Sequence, residues 1–126
     1  MRLAFISGPY RAATPSGIVQ NIRNAERAAV EYWRKGYAVI CPHKNSALFD
    51  GLAPDCVWLD GDLELLRRSD VVVMIPGWQK SSGAINEESL AINLGKEIHY
   101  LNDNLESITP DRDGTRKENT HGTPTN

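Results

Sequence analysis

The chain has 126 residues, of which 40% are hydrophobic, and this is the size of one domain with a substantial core. Its formal net charge of −2 gives no overall electrostatic basis for binding a nucleic acid or an anionic membrane. No apolar run approaches the ~18 residues of a membrane helix, and the first run is too short for a signal peptide, so we expect a cytoplasmic protein.

The cysteine pattern indicates neither a metal site nor a disulfide framework. Cys41 and Cys56 are isolated, with no CxxC spacing and no accompanying histidine pair. In a reducing compartment we therefore expect two free thiols, and no metal ion.

The chain begins with a predicted strand at residues 2–6, which a glycine and a proline end. The loop that follows, SGPYRAATPSG, is long for a strand-to-helix connection, and long connections in compact domains tend to carry function. The next helix is predicted to start at Thr14 or Ser16 and to end at Gly36. Its apolar positions recur with a period near 3.6: Ile18, Ile22, Ala25, Ala29, Tyr32 and Trp33.

A second strand is predicted at residues 37–41 and is followed by another long loop, PHKNSALFDGLAPD. The helix after that loop runs from about Asp55 to Arg68. Its apolar side consists of Trp58, Leu59, Leu63, Leu65 and Leu66. Asp62 falls inside this apolar arc, where a carboxylate is unusual.

The segment DVVVMIPGWQKSSGAINEESLAINLGK, residues 70–96, organises the rest of the chain. Its five apolar residues at 71–75 predict a strand buried on both faces, and a proline and a glycine end that strand. Ser81 and Ser82 can cap a helix that begins near Ala84. The positive end of that helix dipole then points into the loop, where it attracts an anion.

Two adjacent carboxylates, Glu87 and Glu88, lie one turn into this last helix. At ~100° per residue, Glu87 shares a stripe with Leu90, Ala91 and Leu94, so we expect it to face inward. The dipole of the helix explains a carboxylate in the first turns, but it does not explain an inward-facing one.

Strands that alternate with helices imply right-handed crossovers and a parallel sheet covered on both faces. With a last strand at residues 97–101, the prediction is an α/β protein: a three-layer flavodoxin-like or Rossmann-like fold with four to five parallel strands. We expect the domain to span residues 1–104 and residues 105–126 to form a disordered tail, because large hydrophobic residues are missing from most of that tail.

In a doubly wound sheet, ligands bind beyond the carboxyl ends of the strands. The unusual loops all follow predicted strands, so we expect them to converge on one cleft with Asp62 and Glu87. Loop aromatic and polar residues beside glycines and prolines are candidates to contact a ligand there, and they include His43, Asn45 and Trp78.

Three stretches resemble the nucleoside 2-deoxyribosyltransferase superfamily, which includes the 2′-deoxynucleoside 5′-monophosphate N-glycosidases. They are SGPYR after the first strand, DLELLRRSDVVV, and Ser-x-Gly-x-x-x-Glu followed by Ala91 and by Gly95-Lys96. The resemblance spans residues 3–101 and is closest to a phage and bacterial branch of the superfamily.

The resemblance implies roles for particular residues. The nucleophilic glutamate of the family lies four residues before an alanine and eight before the Gly-Lys pair, which selects Glu87 over Glu88. The acidic residue of the preceding helix matches Asp62, and Tyr10 joins these two in the catalytic set. Substrate binding falls to residues of the loops and of the helix start, together with the loop candidates above: Ser7, Gly8, Arg11, His43, Asn45, Trp78, Ser81, Ser82 and Gly83.

The implied activity is cleavage of the N-glycosidic bond of a nucleoside or a nucleoside 5′-monophosphate, deoxyribose being favoured over ribose. Glu87 would attack C1′, and Asp62, kept protonated by apolar surroundings, would protonate the departing base. Water would then release the sugar. The partner is thus a small-molecule nucleotide or nucleoside, with no cofactor, and a homodimer or larger homo-oligomer is expected through the helix that carries Tyr32 and Trp33.

Other functions remain open at this point. Transfer of deoxyribose between bases uses the same residues. Cytokinin-activating phosphoribohydrolases carry a Pro-Gly-Gly-x-Gly-Thr-x-x-Glu loop, of which this chain has a partial, interrupted version from Pro76 to Glu88. A non-catalytic nucleotide-binding protein is favoured by Glu88-Ser89, where the superfamily has an apolar residue and glycine. An interaction module with a vestigial cleft is the last alternative.

Overall fold

A computed structural model describes residues 1–108 of the chain. It contains four strands, four α-helices and one 3-10 turn. In chain order these are β1 (Leu3–Ser7), α1 (Pro15–Arg34), β2 (Ala38–Ile40), α2 (Pro42–Asn45), α3 (Asp55–Arg67), β3 (Val71–Met74), the 3-10 turn (Trp78–Lys80), α4 (Ser82–Asn93) and β4 (Glu97–Tyr100).

The four strands form one parallel sheet in the order β2-β1-β3-β4. The predicted α/β class and parallel sheet are confirmed. The chain moves outward from β1 to β2 on one side and from β3 to β4 on the other, so the order changes direction between β1 and β3. At such a switch point the loops that leave two adjacent strands diverge and open a crevice.

Each face of the sheet carries its own apolar core. On one face Ala4, Ile6 and Val73 pack with alanines of α1 and with Tyr32. On the other face Phe5 and Val72 pack with residues of α3 and α4, among them Leu66, Ala84 and Ala91. Because β1 and β3 are covered on both faces, their sequences are continuous apolar runs and do not alternate.

The helix starts follow the predicted capping chemistry. Thr14 caps α1, its Oγ1 accepting a hydrogen bond from the Gly17 N–H at 3.1 Å. Ser81 caps α4, its Oγ accepting from the Ala84 N–H at 3.2 Å, so α4 begins two residues earlier than expected. The loop after β2 was expected to be irregular throughout, but its first residues, Pro42–Asn45, form the single-turn helix α2 with proline in the first turn.

The described chain folds beyond the expected domain boundary at residue 104. Ile108 is 7% exposed and its N–H donates to the Tyr100 carbonyl at 2.7 Å, while Leu101 and Ser107 form an antiparallel bridge. Residues 105–108 therefore cover the end of β4. The rest of the expected tail, residues 109–126, lies outside the described residues.

The helix expected to mediate self-association has only one of its two aromatic residues available. Tyr32 is buried in its own chain, and its hydroxyl pairs with His99 Nδ1 at 2.6 Å. Trp33 is 55% exposed. A homo-oligomer stays a prediction, and α1 exposes Val19 and Val30 besides Trp33 for such a contact. Within residues 1–108, no helix is long and apolar enough to cross a membrane.

Candidate active site

Two glycines allow the loops after β1 and β3 to meet at the switch point. A Cβ on Gly8 would lie 2.2 Å from Cγ1 of the buried Ile75, so the backbone of the first loop passes directly over the end of β3. Gly77, in the second loop, has φ of 91°, and a Cβ there would lie 3.1 Å from Pro9 Cγ. The close approach of these two loops depends on the missing side chains.

We expect Gly8→Ala to destabilise the protein by about 1–3 kcal/mol, because a methyl group at this position overpacks a core that cannot yield. Gly61→Ala is the matched control. Gly61 lies within α3, and apart from its chain neighbours and its own helix backbone no atom lies within 4 Å of a Cβ placed there, so alanine should raise stability by about 0.5–1 kcal/mol. Urea denaturation of both variants measures the two changes, and equal changes would contradict this account.

Polar contacts from two other elements fix the loop after β1. His43, on α2, donates from Nε2 to the Pro9 carbonyl at 2.9 Å, and Asn21, on α1, donates from Nδ2 to the Tyr10 carbonyl at 3.0 Å. His43 is 5% exposed, and burial lowers the pKa of its imidazole, so the ring is neutral near pH 7. His43 also meets the Tyr10 ring edge-on, with centroids 6.1 Å apart.

These loops, with α3 and the start of α4, enclose a cavity of about 690 Å³. Nine of the predicted site residues line it: Gly8, Tyr10, Arg11, His43, Asp62, Ser81, Ser82, Gly83 and Glu87. Its volume lies within the range of small-molecule sites, and it opens at the switch point, where α/β folds bind their ligands.

Two carboxyl groups on different helices, Asp62 and Glu87, face this cavity, and both hold their protons more tightly than usual. Burial raises the pKa of Asp62 to about 6. Burial also raises the pKa of Glu87 to about 7, and the charge of Asp62 adds to this effect. The Ser7 hydroxyl opposes it by donating to Glu87 Oε1 at 2.5 Å, which favours the ionised form. Between pH 6 and 7 Glu87 is therefore the mostly protonated group of the pair, and Asp62 is the mostly ionised one.

The neighbouring carboxylates of α4 point to different places. Glu88, not Glu87, lies on the fully buried stripe with Ala84 and Ala91. Its Oε2 accepts a hydrogen bond from the Tyr100 hydroxyl at 2.6 Å, on the core side of the helix. Glu87 lies at the edge of this stripe, between the core and the cavity. The expectation that Glu87 shares the core stripe was thus wrong by one position, although the side chain does face inward to the cavity.

Three predicted substrate-binding residues do not line the cavity. Ser7 is fully buried at the end of β1, and its hydroxyl donates a hydrogen bond to Glu87. It therefore positions that carboxylate and does not itself face the cavity. Trp78 is 5% exposed and packs against Tyr100, with ring centroids 5.7 Å apart, in the core beneath α4. Asn45, at the end of α2, is exposed outside the cavity.

Some lining residues were not singled out from the sequence. Asn21 follows Ile18 by three positions and thus borders the apolar stripe of α1, which was a usable signal. Asp55 and Lys80 gave no such signal, because isolated charges near helix ends are usually solvated. In the structure Asp55 pairs with Arg11 at 2.7 Å at the cavity rim. Asn86, next to Glu87 in sequence, also lines the cavity.

Replacing Glu87 by glutamine should change the pH dependence of stability. A pKa raised from 4.5 to about 7 means that the folded state binds this proton more tightly than the unfolded state. The stabilisation is complete below pH 4.5 and is lost as the pH rises through 7, up to about 3 kcal/mol. We therefore expect Glu87→Gln to raise the Tm by several degrees at pH 8 and little at pH 5, as measured by calorimetry. Equal effects at both pH values would contradict the burial of this charge.

The described residues offer no arrangement for a metal ion. Within residues 1–108, no three histidine, cysteine or acidic side chains are grouped so that they could hold one. Cys41 and Cys56 are free thiols, and burial raises the pKa of Cys41 to about 11, so this thiol is protonated at neutral pH.

Comparisons with known proteins agree with this fold. Residues 4–100 match the family described as "Domain of unknown function (DUF4406)". The fold is similar to that of a 2-deoxyribosyltransferase from Leishmania mexicana, with a TM-score of 0.58, 15% identity, and coverage of 81% of this chain and 65% of that one. It is also similar to a 2-deoxyribosyltransferase from the psychrotolerant bacterium Bacillus psychrosaccharolyticus, with a TM-score of 0.59, 18% identity, and coverage of 85% and 77%. No curated protein matches the chain.

Proposed function

The chain belongs to the DUF4406 family, and we propose that it is an N-glycosidase that cleaves a deoxynucleoside or its 5′-monophosphate into a free base and a sugar. Its fold is that of two proteins named as 2-deoxyribosyltransferases, which break and remake the same kind of bond. The identities of 15% and 18% support the fold only, so the proposal depends on the chemistry of the cavity.

The observation that carries the proposal is the pair of carboxyl groups, Asp62 and Glu87, that line one cavity with pKa values of about 6 and 7. Cleavage of a glycosidic bond with a covalent intermediate needs one ionised carboxylate and one carboxylic acid at the same time. A pair with pKa values of about 6 and 7 is singly protonated in a large share of the molecules between pH 6 and 7. An ordinary exposed pair would be fully ionised there.

The division of roles rests on the partner of Glu87. The Ser7 hydroxyl donates to Oε1 of Glu87, and a donor of this kind favours the ionised form, which is the form that can attack. Burial raises the pKa of both groups, and in the absence of a substrate the higher value, that of Glu87, places the shared proton on Glu87. On the basis of the hydrogen bond from Ser7 we assign the nucleophile to Glu87 and the acid to Asp62, and the reaction then starts from the form in which the shared proton has passed from Glu87 to Asp62.

The reaction then proceeds in two steps. A carboxylate oxygen of Glu87 bonds to C1′ while the bond from C1′ to the base nitrogen breaks, and the proton of Asp62 passes to the base with which the bonding electron pair leaves. Water next attacks C1′ and gives its proton to the ionised Asp62, which releases Glu87 and the free sugar. A 2-deoxy sugar lacks the electron-withdrawing 2-hydroxyl group, so positive charge develops at C1′ at a lower energy.

The start of α4 provides a place for a 5′-phosphate. Ser81, Ser82 and Gly83 line the cavity there, next to Lys80, and the positive end of the α4 dipole faces the same space. Glu87 follows within two turns, so a phosphate bound at the helix start would help to hold C1′ near the carboxylate. Binding energy from the phosphate would then serve to orient the reacting carbon.

Two further functions are distinguished by what attacks the intermediate. If a second base replaces water, the protein is a deoxyribosyltransferase, which is the activity that the names of both similar structures give. If neither step occurs, the protein binds nucleotides without turnover. Glu88 and Ser89 differ from the apolar residue and glycine of the superfamily. They give little support to a non-catalytic protein, because Glu88 points away from the cavity to Tyr100.

The test is to incubate the purified protein with each deoxynucleoside, each deoxynucleoside monophosphate and their ribose counterparts, and to measure free base by chromatography. Release of base without added acceptor supports the N-glycosidase, whereas exchange only in the presence of a second base identifies a transferase. Ligand-induced stabilisation without base release from any substrate would overturn the catalytic proposal.

A further inference from the structure

An ion pair lies across the rim of the cavity. Arg11, on the loop after β1, donates from Nη2 to Oδ2 of Asp55, the first residue of α3, at 2.7 Å. Both side chains line the cavity, and they are 67% and 58% exposed. The pair is therefore accessible both to solvent and to a ligand that enters the cavity.

The charges that line the cavity determine how this ion pair affects the binding of an anionic ligand. Four carboxyl groups line it, on Asp50, Asp55, Asp62 and Glu87, against the two cations of Arg11 and Lys80. Because Asp55 neutralises Arg11, the remaining lining charge is acidic, and a dianionic phosphate would meet repulsion at the rim. An uncharged nucleoside would not.

We propose that Asp55 is a specificity-determining residue that sets the preference between a nucleoside 5′-monophosphate and the corresponding nucleoside. It does so by holding Arg11. A 5′-phosphate that lies between the start of α4 and the rim can bind Arg11 only when the guanidinium leaves Asp55, so the Asp55 carboxylate competes with the phosphate for Arg11. This inference rests on the proposed function, because it assumes that a nucleoside or nucleotide occupies the cavity.

The exchange is energetically accessible. Exposed ion pairs contribute little to stability, so the separation of Arg11 from Asp55 costs little. A guanidinium forms two parallel, charge-assisted hydrogen bonds with a phosphate, which exceed the single bond given to Asp55 here. The outcome therefore depends on the charge at residue 55, and removal of that charge should favour the phosphate.

The experiment measures affinity by calorimetric titration in a Glu87→Gln background, where the ligand is not consumed. The ligands are the deoxynucleoside monophosphate that the protein binds most tightly and its matching deoxynucleoside. Asp55→Asn should strengthen monophosphate binding by about two- to fivefold, the span expected when one exposed ion pair no longer has to be broken, and leave nucleoside binding unchanged. Asp60→Asn removes the same charge from an exposed position of α3 outside the cavity, and should change neither affinity.

A double-mutant cycle separates this mechanism from a general charge effect. If Asp55 acts by holding Arg11, Asp55→Asn should give no gain once Arg11 is replaced by glutamine. An undiminished gain in that background, an equal gain for both ligands, or weaker monophosphate binding would each overturn the inference. If Asp55→Asn selectively strengthens monophosphate binding but the unmodified protein releases no base, the inference about Asp55 holds and the proposed glycosidase activity is wrong.

Discussion

Glu87→Gln is expected to reduce base release by at least about 10³-fold, because a neutral amide cannot form the covalent intermediate with C1′. The substitution keeps the size of the side chain, and its amide oxygen can still accept the hydrogen bond from Ser7. The rate of base release from the best substrate, followed by chromatography under single-turnover conditions, measures the loss.

Glu88→Gln is the matched control for this experiment. It changes the next residue of the same helix in the same way, and an amide oxygen can still accept from the Tyr100 hydroxyl. We expect activity within a few-fold of the unmodified protein. The reverse result, with Glu88→Gln inactive and Glu87→Gln active, would move the nucleophile by one position and contradict the assignment made from the cavity.

Asp62→Asn should lower the rate of base release by about 10²–10⁴-fold with ordinary bases, because the departing base then lacks its proton donor. The loss should depend on the leaving group. An N7-methylated purine carries a positive charge before it leaves and needs no proton, so its release should be reduced far less. Equal losses for both substrates would indicate that Asp62 acts on folding or on binding and not as an acid.

The pH profile of the same variant provides a second readout. In the unmodified protein the rate should fall below pH about 6, where the pair takes up a second proton, and fall again above about 7, where the pair loses its last proton. Asp62→Asn removes the ionising acid, so the decline on the alkaline side should disappear while the decline on the acid side remains. A variant with an unchanged profile would argue against Asp62 as the donor.

The sequence predicted the fold well because its signals were local and redundant. The apolar run at Val71–Met74 has the length and the flanking proline and glycine of a buried parallel strand, and the cap residues Thr14 and Ser81 mark their helix starts. The end of the domain was less predictable. Leu105 and Ile108 are isolated apolar residues in a polar stretch, and the burial of Ile108 depends on where β4 lies, which the local sequence does not encode.

Site residues could be predicted from the sequence where a polar side chain interrupts an apolar pattern. Asp62, a carboxylate in the apolar arc of α3, is such a residue. Helical periodicity predicts the direction of a side chain only to within part of a turn. It could therefore not decide which of the adjacent residues Glu87 and Glu88 faces the core and which faces the cavity. The space between α3 and α4 that receives Glu87 exists only in the folded protein. The pairing of Arg11 with Asp55 joins residues from distant parts of the chain, so no local pattern indicated it.

The hydrogen bond from Ser7 to Glu87 also bears on how the proposed activity could be altered. Ser7 belongs to the central strand β1 and is buried. The position of the Glu87 carboxylate is therefore fixed by a hydrogen bond from the sheet and not by one from a surface loop. The segment 46–54 that flanks the cavity contributes nothing to that bond. Such a division lets loops be exchanged or lengthened to accept other bases while the reactive group keeps its place, which makes this small domain a suitable starting point for changing substrate range by loop grafting.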